Sequence, residues 1–189
     1  MTNFNLLALF PCISLASAHF AIEYPPWRFD TLSSDAPALN YSQWLYPCAG
    51  APPLSSSSPN RTDWPVSGGS LKLDLHHPWT YVFVNLGLGA NASSFNVSLT
   101  PEFLNVTGKG VLCLDRLTVP DGTVSEGALG SLQVVTLGEN GNALYNVSFC
   151  SCSLTTTTPV ADRGRGWTVC RCAFHEQRYD ALGRRVFDG

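Results

Sequence analysis

The sequence predicts an all-β protein, a β-sandwich followed by an irregular C-terminal tail. Short runs rich in β-branched and aromatic residues recur between residues 70 and 146, and turn-forming residues separate them. None of these runs shows a convincing helical period. Several short strands at regular spacing are typical of a two-sheet domain.

The predicted strands follow one another from residue 70 onward. The run SLKLDL places Leu71, Leu73 and Leu75 on one face with a period of two. The run WTYVFVNLGL has the aromatic and β-branched composition of a half-buried strand. The further predicted strands are SSFNVSL, GVLCLDRLTV and GSLQVVTL. Asp-Gly in PDGT and Asn-Gly in GENGN favour turns beside them.

Residues 20–67 are less regular. The segments YPPWRFD and APPLSSSSPNRTDWP predict extended or looped chain, because proline fixes φ and lacks an amide donor. A long irregular segment in a compact domain is often functional surface.

The composition is that of a soluble globular protein, 44% hydrophobic and 13% charged, with a formal net charge of −3. No basic stripe occurs in residues 19–158, so no nucleic-acid partner is predicted. The sequence has no nucleophile elbow, no glycine-rich phosphate loop and no paired-carboxylate signature. It therefore predicts no catalytic residues.

The first 18 residues have the layout of a secretory signal peptide. An apolar run over Leu6–Leu15 precedes the small residues Ala16-Ser17-Ala18. This run is too short to span a bilayer, and no transmembrane span is predicted. Cleavage after Ala18 would make His19 the first residue of a domain predicted over residues 19–149. Residues 150–189 form an atypical tail that holds six of the eleven Lys and Arg residues.

Six cysteines would remain after cleavage and enter an oxidising compartment, where disulfides form. They are Cys48, Cys113, Cys150, Cys152, Cys170 and Cys172, of which Cys48, Cys113 and Cys150 are the disulfide candidates. The pairing stays open, and a zinc site in the Cys-Ser-Cys and Cys-Arg-Cys pairs is the alternative. The predicted N-glycosylation sites are Asn40, Asn60, Asn91, Asn96, Asn105 and Asn146.

A histidine at a mature N-terminus offers a metal two nitrogens, the α-amine and its own ring Nδ1. A second histidine completes a T-shaped set of three nitrogens, which suits Cu(II). The amine has a reference pKa of about 7.7–8.0, so copper must displace a proton near neutral pH. The sequence therefore predicts a copper site at His19 that exists only after the signal peptide is removed.

The second ligand comes from His76, His77 or His175. Neighbouring residues on a strand point to opposite faces, so at most one of His76 and His77 would normally reach the metal. His77 continues the face of the leucines in SLKLDL, but Pro78 suggests a bend that breaks this phase. The choice between the two histidines stays open.

Four blocks of the sequence resemble the fungal copper acquisition factors of the Bim type. They are HFAIEYPPWRF, YPCAG, WPVSGGSLKLDLHHPWTYVFVNLGLG and LQVVTLGENGNALYN, in family order across residues 19–146. The resemblance implies an immunoglobulin-like fold of the lytic polysaccharide monooxygenase (LPMO) type. It implies copper ligation by His19 and His77 at the outer cell surface, often with a GPI anchor, and no polysaccharide oxidation. A membrane copper transporter is the expected recipient.

The chain departs from this family after residue 146. The family is expected to use an aspartate ligand in a stretch resembling LYNCAD, but ALYN is followed here by VSFCSC, and no hydrophobic GPI tail follows. Val147-Ser148 can be encoded as GTGAGT or GTAAGT, the usual start of an intron, and Leu154-Thr155 as CTGACN, which resembles a branch point. We hypothesise that an intron has been translated. Asp74, Asp115 and Asp162 are other carboxylates, for which ordinary roles are expected.

The sequence is compatible with three functions. The first is a secreted or surface protein that captures copper and hands it on without turnover. The second is a copper-dependent polysaccharide monooxygenase, which would need a flat aromatic surface from Trp27, Trp44, Trp64 or Trp79. The third is a glycosylated cell-wall protein with no metal role. His19, His77 and the family-like blocks favour copper capture.

Overall fold

A computed structural model of the chain describes residues 19–52, 61–154, 178–179 and 185–186. Within these ranges the chain forms strands, turns and loops, with no helix. The strands are β1 (Phe20–Tyr24), β2 (Arg61–Pro65), β3 (Gly69–Leu75), β4 (Trp79–Leu88), β5 (Val97–Ser98), β6 (Leu104–Thr107), β7 (Gly110–Leu117), β8 (Leu129–Leu137), β9 (Ala143–Ser153), β10 (Arg178–Tyr179) and β11 (Arg185–Val186).

The strands build two sheets. The small sheet has the antiparallel order β1-β3-β7. The large sheet has the order β10-β11-β6-β4-β8-β9-β2, and β5 adds a short pairing to β4. Two of its contacts are parallel, β2 with β9 and β11 with β6.

The hydrophobic core lies between the two sheets. Burial alternates along β3, where Leu71, Leu73 and Leu75 are buried, and along β4, where Val82 and Val84 are buried. These side chains join one continuous cluster. Alternation of this kind buries one face of each sheet and leaves the other outward. The predicted all-β sandwich is confirmed.

The strand predictions succeed where the alternation is strongest. β3, β4, β7 and β8 lie within or almost within the predicted runs, whereas SSFNVSL forms only the two-residue β5. β1 and β2 lie in the region expected to be irregular. β9 extends to Ser153, past the domain boundary predicted at residue 149.

The described part of the long loop between β1 and β2, residues 25–52, follows the part of β9 that β2 does not cover. β2 pairs with Phe149–Ser153, and the loop bonds to the preceding residues of β9. The amide of Arg28 donates to the Val147 carbonyl at 2.8 Å, and the Tyr145 amide donates to the Gln43 carbonyl at 2.7 Å. These bonds hold the irregular loop on the edge of the large sheet.

The cysteines of the described region do not form the expected disulfides. Cys48, Cys150 and Cys152 are buried and have free thiols, so buried Cys113 is not bonded to any of them. Burial raises the pKa of the Cys48 thiol, and a hydrogen bond with Cys152 together with burial raises the pKa of Cys150. Cys170 and Cys172 lie outside the described residues, so the zinc alternative keeps only Cys150 and Cys152 inside them.

The predicted glycosylation sites differ in exposure. Asn40, Asn91 and Asn96 are exposed, and Asn105 is partly exposed on β6. Asn146 is 1% exposed, and its Nδ2 donates to Thr31 Oγ1 at 3.2 Å. A glycan on that nitrogen would have no room inside this fold and would break the bond to Thr31. The buried position therefore argues against modification at Asn146. Asn60 lies outside the described residues, as do the predicted signal peptide and His175.

No helix in the described ranges is long and apolar enough to cross a membrane.

Candidate metal centre

The start of β1 lies directly beside the end of β3. The antiparallel register pairs Phe20 with Leu75 and Ala21 with Asp74. One step further along this ladder, the backbone amide of His76 donates to the carbonyl oxygen of His19 at 3.2 Å. The pairing of two strands therefore brings together histidines that are 57 positions apart in the sequence.

The face of each strand decides where these side chains point. Phe20 and Ile22 are buried in the core, so His19 and Ala21 belong to the outer face of the small sheet. Asp74 lies on that face too, and His76 Nε2 lies 3.2 Å from its Oδ2. The His76 ring is thus already engaged by a carboxylate.

His77 lies at a bend that follows β3. The strand ends at Leu75 and the chain bends at His77 and Pro78, so the strand phase does not continue through His77. A Cβ placed on Gly138 would lie 3.5 Å from Cε1 of the His77 ring. The imidazole therefore packs beside the turn that links β8 and β9.

The His76 and His77 imidazoles influence the His19 ring electrostatically. Burial, followed by the charges of His76 and His77, lowers the pKa of the His19 imidazole. Both effects disfavour the protonated ring. Neutral imidazole is the form that ligates a metal, so the environment of His19 favours the ligating form.

Side chains alone do not complete a metal site here. The described residues contain no group of three or more His, Cys, Asp or Glu side chains arranged to hold a metal ion. A His19–His77 pair therefore requires a further donor, and the α-amine of His19 would supply it after cleavage. The donors near His19 are imidazole nitrogens, a type that suits copper once an N-terminal amine is added to them.

Gln43 is a buried residue beside the start of β1 that sequence reasoning missed. Its Nε2 donates to the Phe20 carbonyl at 2.7 Å, and its Oε1 accepts from the Phe20 amide at 3.2 Å. The same Nε2 donates to Thr31 Oγ1 at 2.8 Å, and the Gln43 side chain is fully buried. No local pattern marks this glutamine, because Phe20 lies 23 residues away.

The carboxylate that the family resemblance implies is not supplied at its expected place. Counting from ALYN, the aspartate of LYNCAD would fall at position 149, where this chain has Phe149. Phe149 is buried, and the guanidinium carbon of Arg28 lies 3.7 Å from the centroid of its ring. A cation–π contact therefore occupies this position. Asp115 is exposed on β7, and Asp162 lies outside the described residues.

The tryptophans do not assemble a single flat surface. Trp64 is 1% exposed and belongs to the core, whereas Trp44 is 49% exposed on the long loop. Trp79 is partly buried on β4 and stacks edge to face on Tyr81. Trp27 packs against the core as a partly buried residue. The aromatic platform expected of a polysaccharide monooxygenase is not formed by these four residues together.

Comparisons with known proteins identify a matching family and several fungal relatives. A family model described as "Copper acquisition factor BIM1-like" matches residues 17–162, so the match continues past residue 146, where the chain was expected to depart from the family. A lytic polysaccharide monooxygenase-like protein of Emericella nidulans is 33% identical over an alignment of 171 residues that covers 75% of this chain and 68% of that protein. The lytic polysaccharide monooxygenase-like protein ham-7 of Neurospora crassa is 33% identical over an alignment of 177 residues that covers 86% of this chain and 73% of that protein. The lytic polysaccharide monooxygenase-like protein X325 of Aspergillus fumigatus is 31% identical over 169 residues, with 75% and 68% covered.

Proposed function

This chain belongs to the family of BIM1-like copper acquisition factors, and from that premise we propose that it captures Cu(II) outside the cell. The protein acts in copper acquisition or homeostasis, as a carrier of copper and not as an enzyme that turns over a substrate. It is secreted, or it resides in the cell wall or on the outer face of the plasma membrane. A membrane copper transporter is the recipient.

The proposed ligands are three nitrogens. The α-amine and ring Nδ1 of His19 form one chelate, and the imidazole of His77 supplies the third nitrogen. This set suits the tetragonal preference of Cu(II), which also heads the affinity order of the divalent first-row metals. Removal of a signal peptide after Ala18 creates the amine, so copper binding begins only once the chain has entered the secretory pathway.

The hydrogen bond from the His76 amide to the His19 carbonyl carries this proposal. It joins the segment that contains His77 to the residue whose amine is the proposed ligand. His77 is the proposed ligand of the histidine pair on the family resemblance, whereas His76 has its Nε2 held by Asp74, a contact that orients its ring. In this arrangement His76 and Asp74 position the strand end, and His77 binds the metal.

A titration with Cu(II), read by electron paramagnetic resonance, tests the proposal. The secreted protein is compared with a variant that has one extra glycine before His19. This variant keeps every side chain but moves the free amine away from the His19 ring. We expect tight one-to-one binding and an axial, nitrogen-rich spectrum only for the native terminus. Equal binding by the two proteins, or binding by neither, would refute the proposed ligand set.

A second arm of the experiment addresses polysaccharide oxidation, because the named relatives are described as lytic polysaccharide monooxygenase-like. The copper-loaded protein is incubated with a panel of glycans and a reductant. We expect no oxidised oligosaccharides. Their release would show that the protein is an oxidising enzyme and would overturn the proposal of copper capture without turnover.

A further inference from the structure

We propose that Asn105 carries an N-linked glycan whose first N-acetylglucosamine packs on aromatic rings of the large sheet. The rings form an aromatic cluster on the outer face of that sheet, made of Trp79, Tyr81, Phe83 and Phe103. The inference rests on the secretory part of the proposed function and is independent of copper binding.

The geometry of β6 presents the whole acceptor sequence on one face. Val106 is 2% exposed and points into the core, so Asn105 and Thr107 point outward. Phe103 precedes the strand by one residue and is 55% exposed. Residues 103, 105 and 107 therefore alternate with the buried side, and an aromatic ring lies two residues before the acceptor asparagine.

Strand β4 places two more rings beside the same asparagine. The β4–β6 register pairs Tyr81 with Asn105 and Trp79 with Thr107. The Tyr81 ring lies 4.6 Å from that of Phe103 and 4.6 Å from that of Trp79, centroid to centroid. The acceptor is thus bordered by aromatic rings along its own strand and across the sheet. Cross-strand neighbours at this spacing are close enough for their side chains to interact.

The amide of Asn105 is oriented for a glycan. Trp79 Nε1 donates a hydrogen bond to the side-chain oxygen of Asn105 at 2.8 Å. An indole nitrogen only donates, so the atom it meets must be Oδ1. Nδ2, which carries the sugar in a glycosylated asparagine, is therefore the other branch of the amide. A glycan on Nδ2 leaves the bond between Trp79 and Asn105 intact.

The chemistry needs one co-reactant, a polyisoprenyl diphosphate-linked oligosaccharide of the secretory pathway. The bond between C1 of its first sugar and the diphosphate oxygen breaks, and a bond from C1 to Asn105 Nδ2 forms. Nδ2 loses one proton, and the polyisoprenyl diphosphate leaves. No electrons are gained or lost. The apolar faces of the attached sugar then cover ring surface that the bare sheet exposes to water.

The other described sequons lack this setting. Asn91 and Asn96 are exposed and lie outside the strands, and Asn40 is exposed in a turn. Asn146 is buried and bonded to Thr31. Among the sequons that the structure describes, only Asn105 accepts a hydrogen bond from a ring of the aromatic cluster.

The test uses the full chain made in a yeast that adds N-glycans. Thr107→Val removes the sequon and Thr107→Ser retains it, so neither change touches Asn105 itself. Both are combined with Phe103→Leu, which removes a ring but keeps an apolar side chain. Asn91→Gln is the matched control at an exposed loop sequon. Glycopeptide mass spectrometry measures occupancy, and thermal unfolding measures Tm, also after an endoglycosidase has trimmed each glycan to a single sugar.

We expect a glycan on Asn105. We also expect Tm to stay the same after the endoglycosidase trims each glycan to its first sugar. Thr107→Val should lower Tm by roughly 2–5 °C, the scale of one aromatic packing contact. Thr107→Val should not lower Tm in the Phe103→Leu background, or in protein made in bacteria, which carries no glycan. Asn91→Gln should not lower Tm either. An empty Asn105 beside an occupied Asn91 would overturn the inference and leave secretion intact. An equal decrease with and without the Phe103 ring would overturn it as well.

Discussion

The side-chain amide of Gln43 satisfies both backbone hydrogen-bonding groups of Phe20. Nε2 donates to the Phe20 carbonyl at 2.7 Å, and Oε1 accepts from the Phe20 amide at 3.2 Å. The carbonyl of Gln43 also accepts from the Tyr145 amide in β9. Gln43 therefore ties the first strand of the small sheet to the large sheet. Since Phe20 follows His19 directly, Gln43 fixes the position of the proposed ligand.

Gln43→Ala is expected to weaken both folding and copper binding. It leaves the two backbone groups of Phe20 without their buried partner, so the free energy of unfolding should fall by about 2–4 kcal/mol. The affinity for Cu(II) should fall by roughly 10-fold, as is typical when a group that orients a ligand is lost. Denaturant unfolding and copper titration measure the two effects.

Gln133→Ala is the matched control for that change. Gln133 is also a buried glutamine, but its side chain bonds to the Pro47 carbonyl at 2.8 Å and to the Asn85 amide at 3.2 Å, and neither partner belongs to β1. We expect it to destabilise the protein while copper affinity is retained. If the two variants lost affinity equally, the effect of Gln43 would be general destabilisation and not positioning of His19.

His77→Ala and His76→Ala should differ in their copper spectra. Loss of His77 removes a proposed ligand, so Kd should rise by more than roughly 100-fold and the three-nitrogen signature should disappear. Loss of His76 removes its contact with Asp74 and should raise Kd by roughly 10-fold or less. Electron paramagnetic resonance of the two variants measures this. The opposite order would exchange the roles of the two histidines.

Val147→Cys is expected to create a disulfide with Cys48. Val147 is fully buried and packs in one small cluster with Cys48 and Ala51, and the family resemblance implies a cysteine at this position. The new bond should stabilise the protein by about 2–4 kcal/mol, because it closes a long loop in the unfolded chain. Thiol titration under denaturing conditions should find one free thiol fewer than in the unsubstituted protein, although the variant has one cysteine more. The same substitution with Cys48→Ala should show neither effect, and equal behaviour in both backgrounds would exclude the pairing.

The transcript should be spliced at the codons of Val147-Ser148. If an intron is translated here, the spliced messenger RNA would lack the codons for VSFCSC. The codons for ALYN would then be followed directly by codons for Cys-Ala-Asp. Sequencing a cDNA across residue 146 measures this. A transcript that continues through VSFCSC would refute the intron hypothesis, and the strand β9 up to Ser153 would then belong to the protein as it is made.

Some elements were predictable because their signal is local. Burial alternates strictly along β3 and most of β4, so composition and period two suffice to identify these strands. β9 was not predictable in the same way, since it buries Asn146 and Ser148 among its apolar residues. The long loop satisfies these polar groups, with the Ser148 hydroxyl donating to the Pro25 carbonyl at 2.9 Å. Such partners lie far away in the sequence and leave no local pattern.

By itself the sequence determined the all-β class, the family, and His19 with the His76-His77 pair as the candidate copper ligands, because the strand pattern, the signal-like segment and the family-like blocks can each be read from continuous stretches of sequence. The tertiary structure alone decided that His19 lies beside His76, that Gln43 holds Phe20, and that Asn105 lies among aromatic rings. Each of these contacts joins residues at least 23 positions apart. Antiparallel register and loop packing bring such residues together, and neither is contained in any single stretch of the chain.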